Sequence, residues 1–250
     1  MTSPTHDDWF ADESFWETTF PFMFPESRIA AAEEEVGQLV ALAQCSGGAA
    51  LDLACGPGRH AVALASRGFA VTGVDRSDFL LGHARERARR TGQKIEWVRE
   101  DMRAFVRLGT YDLAISLFTS FGFFRDDDDN VKVLANVAAS LKPGGSFVLD
   151  VLGKERLARI FTPTVSREIP TGLVVHRHRI VDDWCRISNE WILVEGDRSK
   201  TFRFSHWLYS ARELRDMFAR AGFSGTRVYG SLAGTPYDAD ALRLVVVGVK

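Results

Sequence analysis

The chain has 250 residues, of which 46% are hydrophobic and 26% are charged, so it is long enough to bury the core of one large globular domain. Its 31 lysines and arginines against 33 aspartates and glutamates give a formal charge of -2, which argues against a protein that binds nucleic acid through a basic surface. The three cysteines have no CxxC spacing, which argues against a disulfide framework and a zinc site, and no metal is expected.

The N-terminal stretch MTSPTHDDWFADESFW is acidic and aromatic. It lacks the positive start and apolar centre of a secretory signal. No stretch of the chain approaches the roughly 18 uninterrupted apolar residues of a membrane-spanning helix. We therefore expect a cytoplasmic protein with no membrane partner, either a monomer or a homodimer.

Residues 49–152 alternate between short β-rich runs and longer helical segments. The predicted strands are 49–55, 70–75, 94–101, 111–118 and 145–152, and the predicted helices are 59–68, 77–92 and 126–145. The four aspartates at 126–129 suit the positive end of a helix, so no metal site is assigned to them, and KPGG is expected to close that helix. Strand–helix alternation of this kind predicts an α/β fold with a doubly wound parallel sheet.

The pattern changes between about 164 and 209, where three strand-like runs (173–181, 184–195 and 200–210) are separated by turn-like residues. These runs predict an antiparallel β insertion after the fifth strand. A helix over 211–223 and strands over 226–230 and 242–250 close the chain. We expect a single domain, made of an N-terminal segment (1–48), a core (49–152), the inserted strands (about 164–209) and a closing part (210–250).

The stretch LDLACGPGRH, residues 51–60, takes a predicted strand directly into a glycine-rich turn and a helix. The missing side chains at Gly56 and Gly58 allow a ligand to approach the backbone closely. Asp75 ends the next predicted strand, where a carboxylate can accept hydrogen bonds from both hydroxyls of a ribose. The alternative is that Asp75 caps the following helix.

The end of the third predicted strand, WVREDMRAF, places Asp101 beside Met102. An acid next to an apolar side chain suits an adenine, whose amino group donates a hydrogen bond while its ring packs on the apolar side chain. Asp101 could instead cap a helix. The dinucleotide fingerprint GxGxxG has a third glycine where this chain has Ala61, which weakens the case for a nicotinamide cofactor.

Together LDLACGPGRH, VTGVDRS, EDMRAF, YDLAISLFTSFGFF and LKPGGSFVLD resemble the ordered motifs of the Rossmann-like S-adenosylmethionine-dependent methyltransferases of class I, of the small-molecule type with an inserted antiparallel layer. The resemblance implies a seven-stranded sheet whose last strand is antiparallel. It also implies S-adenosyl-L-methionine as the cofactor and S-adenosyl-L-homocysteine as the product. The cofactor-binding residues that it implies are Ala54, Gly56, Gly58, Arg59, His60, Asp75, Arg76, Asp101, Met102, Leu117 and Phe118.

The acceptor of the methyl group is expected to be a nitrogen or oxygen atom of a small molecule. Enzymes of this kind that act on nucleic-acid bases usually carry an Asn/Asp-Pro-Pro-aromatic motif where this chain reads LFTSFG (117–122), so a nucleic-acid partner is not expected. The resemblance implies that the inserted strands cover the acceptor pocket and that the aromatic segment 9–24 forms a lid, which would exclude water. Alternatively, these aromatics fasten a terminal helix to the core.

The inserted strands also contain the candidate catalytic residues, His206, His178 and Tyr209. A base is optional for an amine that arrives neutral, because positioning alone can lower the barrier by roughly 7–11 kcal/mol. His206 shares an apolar strand face with Phe202 and Phe204, so it could also be a core histidine. A protein or RNA methyltransferase, a module that binds S-adenosylmethionine without catalysis and a nicotinamide-dependent oxidoreductase remain as alternatives.

Overall fold

The computed structural model describes residues 6–250, with side chains described from Asp8 onward, so residues 1–5 of the predicted N-terminal segment lie outside the described residues. A 3₁₀ helix, His6–Ala11, precedes eight α-helices in this part of the chain. They are α1 (Glu13–Met23), α2 (Glu26–Ala30), α3 (Ala32–Ala43), α4 (Arg59–Ser66), α5 (Asp78–Arg90), α6 (Asp127–Ser140), α7 (Lys154–Ile160) and α8 (Ala211–Arg220). The strands are β1 (Ala49–Leu53), β2 (Ala70–Asp75), β3 (Glu96–Arg99), β4 (Tyr111–Ser116), β5 (Leu141–Val151), β6 (Thr164–Ile169), β7 (Gly172–Val181), β8 (Arg186–Glu195), β9 (Arg198–Trp207), β10 (Gly225–Tyr229) and β11 (Leu244–Val249).

The main sheet has seven strands in the order β10-β11-β5-β4-β1-β2-β3. The strands from β3 to β5 pair in parallel, whereas β11 is antiparallel to both of its neighbours. This arrangement confirms the predicted α/β class and the antiparallel last strand. The strand order reverses between β1 and β4, and ligands of such sheets bind beyond the carboxyl ends of the strands at that point.

The inserted layer is a separate antiparallel sheet of four strands in the order β6-β7-β8-β9. We call this sheet the roof. Its last three strands were predicted, but β6 was not, because its residues are almost all exposed and give no alternating pattern. The helix α7 was likewise missed.

Two predicted boundaries were wrong. The predicted helix 126–145 ends at Ser140, and KPGG lies within β5 rather than closing the helix. The aspartates do begin α6, with Asp127, Asp128 and Asp129 in its first turn. Ser77 caps α5 as predicted, since its side chain accepts a hydrogen bond from the Leu80 amide.

The aromatic N-terminal segment, residues 9–24, packs between the core and the roof. Its buried side chains share a hydrophobic cluster with the inner face of the roof, formed by Trp9, Phe15, Phe22, Val174, Leu193, Phe202 and Phe204. The segment thus fastens the roof to the rest of the protein. Among the described residues, no helix is both long and apolar enough to cross a membrane.

Candidate functional site

A cavity with a volume of about 200 Å³ lies beyond the carboxyl ends of β1, β2 and β4, beneath the N-terminal segment. It is lined by Trp9, Phe10, Trp16, Met23, Phe24, Arg28, Ala54, Cys55, Gly56, Pro57, Arg59, His60, Val74, Asp75, Arg76, Leu80, Glu100, Asp101, Met102, Leu117, Phe118, Thr119, Ser120, Phe123 and Phe124. Every residue that the sequence assigned to the cofactor is in this lining except Gly58. The cavity therefore brings together the motif residues at the ends of four strands, β1, β2, β3 and β4.

Gly56 and Gly58 differ in what a Cβ atom would meet at each position. A Cβ on Gly56 would face the cavity, with its nearest neighbours in the Phe24 ring at 3.8 Å. A Cβ on Gly58 would lie 2.6 Å from the Trp97 ring and 2.8 Å from the Ala84 methyl group. Ala54, Gly56 and Gly58 all have positive φ angles. Gly56 therefore keeps the cavity open, whereas Gly58 is required by packing, and its predicted contact with a cofactor is not supported.

Asp75 holds the glycine turn and still has room to bind a ligand. One carboxylate oxygen accepts from the Gly56 amide at 2.8 Å, and the other accepts from the Ser77 amide at 2.9 Å. Burial raises the pKa of Asp75, although the hydrogen bonds from these amides and from Arg76 counteract the rise. A carboxylate has four acceptor positions, so these three amides leave one for a ligand diol such as the ribose hydroxyls. This site fits the cofactor that the resemblance implies.

The carboxylate of Asp101, which was predicted to bind adenine, already accepts hydrogen bonds from protein groups at every acceptor position. One oxygen accepts from the backbone amide and Nε of Arg103 at 2.9 and 3.0 Å. The other accepts from Arg76 at 3.0 Å and from Nη2 of Arg103 at 2.7 Å. Burial alone would raise the pKa of Asp101, but these arginines lower it. All four acceptor positions are used, so in this arrangement Asp101 lines the cavity without accepting from an adenine, and Met102 lies beside it.

The loop after β4 is held in an unusual conformation by residues that sequence reasoning missed. Phe118 and Thr119 both have left-handed backbones, with φ of 58° and 65°. Their amides donate to the side chain and the carbonyl of Asp150, and Arg243 pairs with the same carboxylate at 2.7 and 3.1 Å. Two positive-φ residues in a row are costly for L-amino acids. The buried Asp150–Arg243 pair thus fixes where Phe118 enters the cavity.

A half-buried carboxylate, Glu35 on α3, binds the first two residues of α4. Its Oε2 accepts from the Arg59 guanidinium and lies 2.9 Å from Nε2 of His60. The Arg59 guanidinium lies over the Phe118 ring, and the His60 ring is stacked parallel to it. Burial lowers the pKa of His60, opposed by its hydrogen bond to Glu35. His60 is therefore a neutral imidazole, oriented by a carboxylate, in the wall of the cavity.

Asp52 is a second buried acid that sequence reasoning missed. It is 2% exposed on β1, its Oδ2 has no hydrogen-bond partner, and it lies just behind the lining of the cavity. Burial raises its pKa to about 7, and the charge of Arg59 opposes this rise. Asp52 and Asp150 share a recognisable pattern, since each is the single acid of its strand and has apolar residues on both sides.

Hydrogen bonds attach the N-terminal segment to the core beside Asp75. Glu13, the first residue of α1, accepts from the Ser77 hydroxyl at 2.6 Å and from the Asp78 amide at 2.9 Å. Further along α1, the Phe20 ring stacks on His83 with a centroid separation of 4.0 Å. The segment therefore covers the cavity and is fixed at the start of α5.

The three candidate catalytic residues do not line the cavity. The Tyr209 hydroxyl donates to Asp127 at 2.6 Å, and burial raises the pKa of Tyr209 far above its usual value. His178 and His206 lie on the inner face of the roof, on either side of the buried Asn189. His206 contacts Phe123, which does line the cavity. The structure does not bring these three side chains together at the site.

The amide of Asn189 determines which nitrogen of His206 carries the proton. Its Nδ2 donates to the Ile187 carbonyl at 3.5 Å, which fixes the amide orientation, and also faces Nδ1 of His206 at 3.4 Å. Nδ1 of His206 is thus an acceptor, and the proton of the neutral ring lies on Nε2. Burial lowers the pKa of His206 to about 4, with further lowering from Arg186 and His178. This arrangement leaves Nε2 as a hydrogen-bond donor and offers no support for His206 as a base.

A family model described as "Methyltransferase domain" matches residues 50–145. The cypemycin N-terminal methyltransferase of Streptomyces sp is 30% identical over 200 residues, covering 79% of this chain and 81% of the relative. The glycine/sarcosine N-methyltransferase of Halorhodospira halochloris is 37% identical over 194 residues, covering 76% and 70%.

Solved structures share the fold at lower identity. An S-adenosylmethionine-dependent methyltransferase from Clostridium acetobutylicum ATCC 824 gives a TM-score of 0.76 at 16% identity, over 94% of this chain and 97% of that one. The SAM-bound amino pentose methyltransferase CalS10 from Micromonospora echinaspora gives 0.71 at 22% identity, over 94% and 96%. No cluster of three or more metal-ligating side chains occurs among the side chains described, those of residues 8–250.

Proposed function

The chain belongs to the Rossmann-like S-adenosylmethionine-dependent methyltransferases, and we propose that it transfers the methyl group to the amine nitrogen of a small molecule. One observation carries the proposal. The cavity that contains Asp75 and the glycine turn continues into an aromatic wall supplied by the N-terminal segment and the loops after β4. An aromatic enclosure of this size suits a small acceptor better than an extended chain.

Nitrogen is preferred over oxygen for two reasons. Of the two relatives described above, one is named as a glycine/sarcosine N-methyltransferase and the other as an N-terminal methyltransferase. An amine is also a strong enough nucleophile, once neutral, to react through positioning alone. A hydroxyl acceptor would depend more on a base.

Individual residues of this chain would then have the following roles in the reaction. Asp75 accepts from the ribose hydroxyls, the open face of Gly56 admits the cofactor, and the aromatic side chains exclude water from the acceptor. When bound, S-adenosylmethionine supplies the activated methyl group. Catalysis would come chiefly from positioning and desolvation.

Calorimetric titration and a methyl-uptake screen test the proposal. Purified protein is titrated with S-adenosylmethionine, S-adenosylhomocysteine and NAD, and we expect micromolar binding of the first two and none of NAD. Uptake of labelled methyl groups is then measured with amino acids, amino sugars, short peptides with free N-termini and a matched set of phenols and alcohols. Transfer to amines supports the proposal, whereas transfer only to hydroxyl groups, or to none of the set, would contradict it.

A further inference from the structure

We infer that His60, oriented by Glu35, is the residue that accepts a proton from the acceptor amine. The inference rests on the proposed function, because it assigns a residue to the acceptor side of the same cavity. His60 is the one histidine in the cavity lining given above.

The first step concerns which ring nitrogen carries the proton. Nε2 of His60 lies 2.9 Å from Glu35 Oε2, and a carboxylate with an arginine bound to it is an acceptor. Nε2 must therefore be the donor, and Nδ1 of the neutral ring keeps its lone pair. Glu35 acts as a positioning residue, because it fixes both the tautomer and the plane of the ring.

The second step concerns where the lone pair points. Among residues 8–250 no group makes a hydrogen bond to Nδ1, and Nδ1 is not one of the fully buried polar atoms without a partner, although His60 as a whole is only 6% exposed. Nδ1 thus retains access to open space. Because His60 lines the cavity, that space is the cavity. The Phe118 ring stacks on the His60 ring with a centroid separation of 5.6 Å, so this nitrogen lies beside the loop after β4.

The third step is the chemistry. An alkylamine at neutral pH is an ammonium ion, which has no lone pair until it loses a proton. Nδ1 takes that proton, and the amine lone pair then forms the new N–C bond as the C–S bond breaks, with the bonding electrons remaining on sulfur. The products are a methylated ammonium ion, S-adenosylhomocysteine and an imidazolium that returns its proton to water.

The charges around His60 suit this role. Glu35 on α3 faces the ring directly, and Asp150 on β5 is a second negative neighbour, paired with Arg243. Arg59 is the positive neighbour on the same helix. Burial keeps the ring neutral and able to accept, while the adjacent carboxylate stabilises the imidazolium once it forms.

Sinefungin tests the inference without knowledge of the acceptor, because an amine in this analogue replaces the sulfonium methyl group. Its Kd and that of S-adenosylhomocysteine are measured by calorimetry for wild type, His60→Phe, His60→Asn and the control His176→Phe, a histidine of β7 outside the cavity lining. We expect wild type and the control to bind sinefungin at least about fivefold more tightly than S-adenosylhomocysteine. His60→Phe keeps the ring and should lose this preference, while the Asn side chain, whose oxygen can replace Nδ1, should restore part of it.

An unchanged preference in His60→Phe, or none in wild type, would overturn the inference. A tenfold rise in the Kd of S-adenosylhomocysteine in His60→Asn would instead assign the residue to the cofactor. Nitrogen NMR of the imidazole rings gives an independent readout, in which wild-type His60 should carry its proton on Nε2 at pH 7.5, and a proton on Nδ1 would contradict the assignment. If sinefungin behaves as expected but the amine screen gives no product, the acceptor class fails, and what stands is only that Nδ1 of His60 accepts a hydrogen bond from a group at the methyl position. If amines are methylated and His60→Phe keeps the preference, only the role of His60 fails.

Discussion

The residues on the two sides of the cavity were not equally predictable from the sequence. On the core side, turns at the ends of β1, β2, β3 and β4 place all the expected residues except Gly58 in the lining. On the roof side, the three candidate catalytic residues lie outside it. A turn after a parallel strand has its position set by the sheet, whereas the direction of a roof side chain depends on how a separate sheet packs on the N-terminal segment. Motif residues at strand ends are thus safer assignments than polar residues on an inserted sheet.

The largest expected effect concerns the core side and separates packing from binding. Gly58→Val should destabilise the protein by about 3–5 kcal/mol, because its side chain would clash with Trp97 and Ala84 on a left-handed backbone. Gly92→Val is the matched control, with a similar φ of +69° but no neighbour within 4 Å, and should cost only about 1–2 kcal/mol. Chemical denaturation measures both. Equal losses would show that backbone strain, not the clash, dominates at Gly58.

A second prediction tests whether Asp75 binds the cofactor or only holds the turn. Asp75→Ala should weaken S-adenosylhomocysteine binding by about 1.5–3 kcal/mol, because it removes charge-assisted hydrogen bonds to the ribose. Asp78→Ala removes the same charge three residues later, where the side chain makes an exposed ion pair with Arg85 and the backbone amide that Glu13 binds is kept, and it should leave the affinity nearly unchanged. Calorimetry compares the two. A similar small loss in both variants would reduce Asp75 to a structural residue.

A third prediction follows from Asp52. Its pKa is raised to about 7 in the folded protein, whereas the unfolded chain has the usual value near 3.8. Between these values the folded state binds more protons, so this residue makes stability fall as pH rises from about 4 to 7, by at most about 1.4 kcal/mol per pH unit. Asp52→Asn should remove that component and raise stability at pH 8. Denaturation midpoints across this range check the sign, and an unchanged pH profile would contradict it.

The smallest effect is expected in the roof. His206→Gln should leave the rate of methyl transfer within about threefold of wild type, because His206 lies outside the cavity lining and its Nδ1 accepts from Asn189. A single-turnover assay with an acceptor from the amine screen measures the rate. A loss of a hundredfold or more, with unchanged stability, would return His206 to its predicted role as a base and would break the contrast between the two sides.

The fold was largely predictable, because strand–helix alternation over residues 49–152 is a local pattern and the closing strands are strongly apolar. The exposed strand β6 gave no such signal. In the site, the positions of Asp75 and Gly56 followed from their place at strand ends. The pairing of Asp150 with Arg243 did not, because these residues are 93 positions apart and meet only through the antiparallel β11. Arg76 and Arg103 occupy the hydrogen-bond acceptor positions of Asp101. This arrangement also depends on side-chain geometry that no sequence motif encodes.

The two hydrogen bonds that Glu13 accepts from Ser77 and Asp78, which we call the clasp, have a kinetic consequence. Ser77 donates its hydroxyl to Glu13 and its amide to Asp75, so the covering segment and the carboxylate that we propose to bind the ribose are attached to the same residue. Under that proposal, movement of the segment should disturb the turn that binds the ribose, and release of the ribose should loosen the turn that holds the segment. Exchange of spent cofactor for fresh cofactor should therefore proceed at the rate at which this clasp opens, so that the residence time of the product, rather than the bond-making step, limits turnover.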